Sequence, residues 1–140
     1  MEKLKPCPFC GSLNVSVLDI GCGTGVFCNY RKPKVYTGID ISWYMLAVAN
    51  AKHALRNFIN TSLEHFIPVV EYGLLIALFG AGSYLNDKEI AKLRSMPGKK
   101  FIMFYAPGYN PVSHGKINPE TNEPTGLPLK EWRNYRLWIE

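Results

Sequence analysis

The sequence predicts an α/β fold with a mostly parallel sheet covered by helices on both faces. Three observations lead there. Short apolar runs alternate with helix-like segments along most of the chain. One run, Gly73 to Phe79, is apolar throughout, as a strand buried on both faces must be. The run Val17 to Ile20 passes directly into Gly21-Cys22-Gly23-Thr24-Gly25, a turn that lets backbone approach a ligand closely.

Taken in order, Ser16 to Ile20 reads as the first strand, ending in Gly21. Val35 to Ile41, entered after Pro33, reads as the second. Ser42 is a good N-cap for a helix running to about Asn57, with Tyr44, Val48, Ala51, Leu55 and Phe58 at helical spacing. Phe58 to Asn60 is a weak third strand, and Gly73 to Phe79 the fourth. Asn86, with Glu89 three residues on, opens a second helix that Pro97-Gly98 closes. Lys100 to Tyr105 is a further strand. Strands alternating with helices build βαβ units and a parallel sheet.

Composition sets the frame. The chain has 140 residues, enough for one domain with a real core. Apolar residues make up 47% and charged residues 19%, which excludes a disordered charged tail. The net charge of +5 comes without any block of like charge, so it is weak support for a nucleic-acid partner. No apolar run approaches the roughly 18 residues of a membrane span. The opening residues carry no apolar signal core, so a cytoplasmic protein with reduced cysteines is expected.

The glycine turn gains weight from Asp40, which closes the next strand (Tyr36-Thr37-Gly38-Ile39-Asp40). In a doubly wound sheet that position puts a carboxylate beside the turn, able to accept both hydroxyls of a ribose. The bland alternative makes Asp40 a helix cap and Asp19 a buried partner of loop amides.

Together these residues resemble the class I S-adenosylmethionine-dependent methyltransferases, a Rossmann-like three-layer sandwich. Val17 to Gly25 matches the first motif of that family, and Gly38-Ile39-Asp40-Ile41-Ser42 resembles its second. Leu74 to Leu85 resembles its fourth strand and following loop, and Pro97-Gly98-Lys99 with Phe101 to Tyr105 its fifth. The likeness covers about residues 15 to 106. It implies S-adenosyl-L-methionine as cofactor. Asp19, Gly21, Cys22, Gly23 and Gly25 would lie against its methionine part, Asp40 on the ribose and the backbone of Leu63 at the adenine, with Ile41 and Phe79, after the fourth strand, also at the cofactor.

The chain departs from the family pattern in several places. Ser62 stands where an acid is usual near the adenine, and Tyr72-Gly73 replaces the common Phe-Asp. With the first strand starting near residue 15, the customary N-terminal helix is expected to be absent. The stretch after Ala106 looks too short for a helix plus an antiparallel strand pair, so a shortened C-terminal part with a single terminal strand is expected. This gives residues 1–14 as a half-knuckle segment, 15–106 as the cofactor-binding part and 107–140 as a loop and strand of the same domain. Five of the ten prolines fall between Pro107 and Pro128. Ala106-Pro107-Gly108-Tyr109 lacks the polar first residue of a base-stacking methyltransferase motif and reads as a loop. Trp132, Tyr135, Leu137 and Trp138 are too apolar for a lone tail; they are expected to pack on the chain's own sheet or on a second copy, as a homodimer.

In-line methyl transfer draws mainly on positioning. Tyr84, His65, His114 and Tyr105 are candidates by residue type for assisting an acceptor. That acceptor, whether nucleic acid, protein or small molecule, is left open. Cys7-Pro8-Phe9-Cys10-Gly11 is half of a zinc knuckle and resembles the opening of phage and bacterial restriction-alleviation proteins of the Lar type. Structural zinc needs four ligands, so Cys7 and Cys10 are only weak metal candidates. Two rival readings stay open: a cofactor-binding domain or partner-completed subunit without transfer activity, and an enzyme that degrades S-adenosylmethionine.

Overall fold

A computed structural model describes residues 12–106 and 127–140. Its seven strands are β1 (Ser12–Ile20), β2 (Lys32–Asp40), β3 (Asn57–Asn60), β4 (Leu74–Ala77), β5 (Lys99–Tyr105), β6 (Leu129–Trp132) and β7 (Tyr135–Ile139). The described helices are α1 (Val26–Tyr30), α2 (Trp43–Lys52) and α3 (Asp87–Ser95), with a 3₁₀ turn at Ala81–Tyr84. None is long and apolar enough to cross a membrane.

All seven strands form one sheet in the order β3-β2-β1-β4-β5-β7-β6. The first five run parallel, and β7 pairs antiparallel with β5. The order reverses between β1 and β4, the switch point where open α/β sheets hold their ligands. Alternation along β1 sorts its side chains between two cores. Leu18 and Ile20 join Ile39, Leu75, Ile102, Phe104 and Trp138 under α3. Val17 joins Tyr36 and Ile76 beside Phe27 and Cys28 of α1.

The structure corrects two expectations. The C-terminal end holds an antiparallel pair rather than one strand: β6 and β7 form a hairpin in register Trp132↔Tyr135. Only Arg133 and Asn134 connect them, and Arg133 takes φ 55, a conformation such turns usually assign to glycine. Without that glycine the two strands read as one. The pair packs on the chain's own sheet, and Trp138 is wholly buried.

The helix begun at Ser42, whose side chain accepts from the Met45 amide, ends at Lys52 rather than Asn57. It buries Leu46 and Ala49, not the spaced set: Tyr44 is exposed and Leu55 is 99% exposed. Leu55 lies in the turn after the helix, where the Arg56 amide donates to the His53 carbonyl. Helix α1 spans only Val26–Tyr30. Residues 61–73 connect β3 to β4 with neither helix nor strand, although a parallel crossover is usually helical. Leu63, Phe66 and Tyr72 nevertheless plug the core there.

Trp138 ties the terminal hairpin to the core, whereas Trp132 lies on the edge strand and is 48% exposed. Replacing a buried Trp by Ala costs about 3–5 kcal/mol. Trp138→Ala should lower unfolding free energy in urea by that amount, and Trp132→Ala by ~1 kcal/mol or less. Equal effects would show that the hairpin is not docked as described.

Candidate cofactor site

The site is built where β1 and β2 end side by side. Beyond Ile20 the chain turns through Gly21, Gly23 and Gly25, all with positive φ (65, 56 and 81). This left-handed backbone is strained for any residue with a side chain. The turn is locked by its amides: Cys22 donates to the Ile39 carbonyl at 3.0 Å and Gly25 to the Cys22 carbonyl at 3.0 Å. Gly25 then caps α1.

Asp40 is the hub. Its Oδ2 accepts from the Gly23 amide at 2.9 Å, and its Oδ1 accepts from the Ser42 amide at 2.8 Å. One carboxylate therefore fixes both the glycine turn and the entry to α2. The helix cap itself is Ser42. Each Asp40 oxygen keeps a further lone pair.

Above the turn there is room. A Cβ placed on Gly23 would meet no atom within 4 Å. On the far side of the turn space is short: a Cβ on Gly21 would lie 3.1 Å from Ala81 Cβ, so the loop after β4 packs directly on the turn. Phe79 and Gly80 in that loop both take positive φ (54 and 82). Such a conformation is uncommon for a bulky residue and clusters at functional sites. Phe79 is 56% exposed there, as is Ile41 (78%) beyond Asp40. Open space over a bare glycine turn, a carboxylate bonded to that turn and exposed apolar side chains on the adjoining loops are a set of groups that fits an adenosyl cofactor.

The other residues expected at the cofactor are placed differently. Asp19 does not line the cleft: it is 3% exposed and accepts from the Tyr36 hydroxyl at 2.7 Å. Burial, with a smaller push from Asp40, raises its pKa from 3.8 to about 7 against the pull of the Tyr36 bond. Cys22 is buried too, and burial followed by the charge of Asp19 pushes its thiol up, so it stays protonated and acts as packing. A Cβ on Gly38 would collide with Cys22 Sγ, the Tyr36 hydroxyl and Phe58, which explains a glycine inside a buried strand. Tyr36 is the supporting residue that sequence reasoning missed. Its signal was the alternation along β2, which faces it to the same side as Asp19.

Leu63 is buried, and its carbonyl accepts from Lys92 Nζ at 2.7 Å. Of the candidates for assisting an acceptor, Tyr84 and Tyr105 come together, edge to face at 6.2 Å. Tyr105 is buried, and its amide donates to Ser83 Oγ at 2.8 Å. Burial raises the pKa of Tyr84, which keeps its hydroxyl neutral. His65 is exposed and lies apart from them, its Nδ1 2.9 Å from Ser62 Oγ. His114, Cys7, Cys10 and the Tyr109 loop lie outside the described residues. Cys22 and Cys28 are free thiols, and no group of three metal-ligating side chains forms among the described residues.

The raised Asp19 pKa carries a sign. Between pH 4 and 7 the folded state holds a proton that the unfolded state has released, so stability falls as pH rises, by up to about 1.4 kcal/mol per unit. Asp19→Asn keeps an acceptor for Tyr36 and removes the titration. Urea unfolding at pH 5 and pH 8 should show a loss for the wild type that the variant lacks. A variant with the same loss would mean that Asp19 is ionised in the fold.

Comparison with known proteins agrees with this fold. The family profile described as "Methyltransferase domain" matches residues 17–95, a stretch that includes the glycine turn, Asp40, the β4 loop and α3. An S-adenosylmethionine-dependent methyltransferase from Mesorhizobium loti is 23% identical, with a TM-score of 0.57 over 67% of this chain and 48% of that one. The plantazolicin methyltransferase BpumL, solved in complex with SAH, is 26% identical, with a TM-score of 0.53 over 67% of this chain and 40% of its own. N-methyltransferase NodS from Bradyrhizobium japonicum is 18% identical, with a TM-score of 0.56 over 66% of this chain and 60% of its own. The chain thus spans about half the length of the solved structures it matches. No curated protein sequence matches it. By its sequence profile and its fold, the chain belongs to the methyltransferase domain family, whose cofactor is S-adenosylmethionine.

Proposed function

We propose that the protein binds S-adenosylmethionine in the cleft above Gly23 and transfers its methyl group to an acceptor docked at the β4 loop. The observation that carries this reading is the open space over Gly23 beside the Asp40 carboxylate. When bound, the cofactor supplies an electrophilic methyl on a sulfonium.

The chain's own residues would do the rest by binding and orienting. The turn from Gly21 to Gly25 offers a side-chain-free surface for the methionine part. Asp40 would take the two ribose hydroxyls on its remaining lone pairs, while the amides of Gly23 and Ser42 hold it in place. Ile41 would cover the adenine on one side and the backbone around Leu63 would meet its edge. Phe79 stands exposed beside Gly80, at the point where the acceptor would approach. Tyr84, half-buried with its ring edge to face on Tyr105, would support the β4 loop rather than act as a base. Transfer then depends on in-line placement of nucleophile and methyl, which supplies most of the acceleration in such displacements.

A second reading, a binding domain completed by a partner, has one fact in its favour: the chain spans only about half of its structural relatives. Incubation with methyl-labelled cofactor and cell fractions separates the two. Label moving into an acceptor supports transfer, label remaining on intact cofactor supports the binding domain, and cleaved cofactor supports a degrading enzyme.

Asp40→Ala removes two hydrogen bonds to a charged group, each worth about 1.5–3 kcal/mol. Calorimetry with S-adenosylhomocysteine should show at least about a hundredfold weaker binding, and unchanged affinity would sink the ribose assignment. Gly23→Val should still fold, with a modest fall in melting midpoint because φ 56 strains a branched residue by about 1–3 kcal/mol. Its side chain would fill the ligand's space, so the ligand-induced rise in midpoint should vanish. A normal rise would place the cofactor elsewhere.

A further inference from the structure

The connection over residues 61–73 presents a physical problem. It carries backbone groups that no helix or ladder satisfies, yet it buries Leu63, Phe66 and Tyr72, and buried backbone polar groups must find partners. Helix α3 supplies them. Lys92 Nζ donates to the carbonyls of Leu63 at 2.7 Å and Glu64 at 3.4 Å, and to that of Phe66. The largely buried Glu89 accepts from the Glu64 amide through Oε2 at 3.1 Å, while its Oε1 accepts from the Asn86 amide at 3.0 Å. Asn86 Nδ2 donates to Glu64 Oε2 at 3.3 Å. On the other side, the Thr61 amide donates to the Asp40 carbonyl at 3.1 Å, as does Asn60 Nδ2 at 2.9 Å.

The turn at 61–66 is therefore strung between the Asp40 strand end and one ammonium on α3. Ser62, standing where the resemblance to the family pattern would place an acid, bonds locally instead: its Oγ accepts from the His65 amide at 3.3 Å. With no carboxylate at this position, recognition of the adenine falls to the backbone, and backbone recognises only as well as it is held.

We propose that Lys92, assisted by Glu89, is the positioning residue for the adenine end of the cofactor site, gripping the 61–66 turn from α3 in place of a helix. This inference rests on the cofactor reading above. Lys92 touches no ligand; it acts through the carbonyls it holds. Its loss should weaken binding and also blur the reading of the base.

The test measures calorimetric affinity of the full chain for S-adenosylhomocysteine and for its inosine counterpart, in which hypoxanthine replaces adenine. The wild type should prefer the adenine ligand by tenfold or more. Lys92→Met should weaken S-adenosylhomocysteine binding at least tenfold and shrink that preference to threefold or less, while Lys92→Arg retains it. Glu89→Gln, which can accept at only one of the two sites, should shrink the preference in the same direction and serves if Lys92→Met does not fold. Weaker binding with an undiminished preference, in whichever variant folds, would reduce Lys92 to a structural support and overturn the inference, as would wild-type affinity in Lys92→Met. A wild type that binds neither ligand overturns the cofactor reading itself, and this inference with it.

Discussion

The site depends on the two hydrogen bonds accepted by Asp40. One carboxylate, at the end of β2, holds the Gly23 amide on the turn after β1 and the Ser42 amide at the start of α2. Hydrogen bonds to a charged group are worth more than neutral ones. They join two loops that meet only because β1 and β2 are parallel neighbours. The same residue's carbonyl accepts from Thr61 and Asn60, so three of the loops at the ligand edge of the sheet converge on it.

Beneath the turn the chemistry is different. Asp19 is removed from water and accepts from the phenol hydroxyl of Tyr36, and burying a carboxylate without a cation beside it is costly enough to favour the protonated form. Raising its pKa to about 7 lets a neutral carboxyl support the turn near neutral pH without placing a second full charge beside Asp40. Cys22, Gly38, Tyr36 and Phe58 fill the remaining volume so tightly that no Cβ fits at Gly38. The floor of the cleft is rigid because it is packed, and its surface is open because it is glycine.

The helical layers are thin. Helix α1 is a turn and a half, and the β3–β4 connection has no helix at all. Side chains take over what regular structure would do, with Lys92 and Glu89 satisfying the backbone of the connection. At the other end of the sheet, the β6–β7 hairpin closes the core with Trp138. Among the described residues, individual polar contacts thus do what a helix would do in the β3–β4 connection.

How much of this was legible in the sequence follows from which forces act locally. The strand–turn–strand from Val17 to Asp40 was readable because backbone conformation and two-residue alternation are properties of neighbouring residues, and Asn86 with Glu89 announced α3 for the same reason. Burial is decided by partners far away along the chain. Helical spacing pointed to Tyr44 and Leu55 where the sheet took Leu46 and Ala49. Asp19 looked like a cleft residue until Tyr36, on the next strand, drew it inside. The hairpin at Arg133 was hidden because its turn lacks glycine, and pairing with β5 supplies the stabilisation that the turn sequence does not. The sequence alone determined the glycine turn, its carboxylate and the α/β alternation; which face each side chain serves, and what holds the 61–66 turn, was settled only by tertiary packing, since that is where desolvation and long-range hydrogen bonds act.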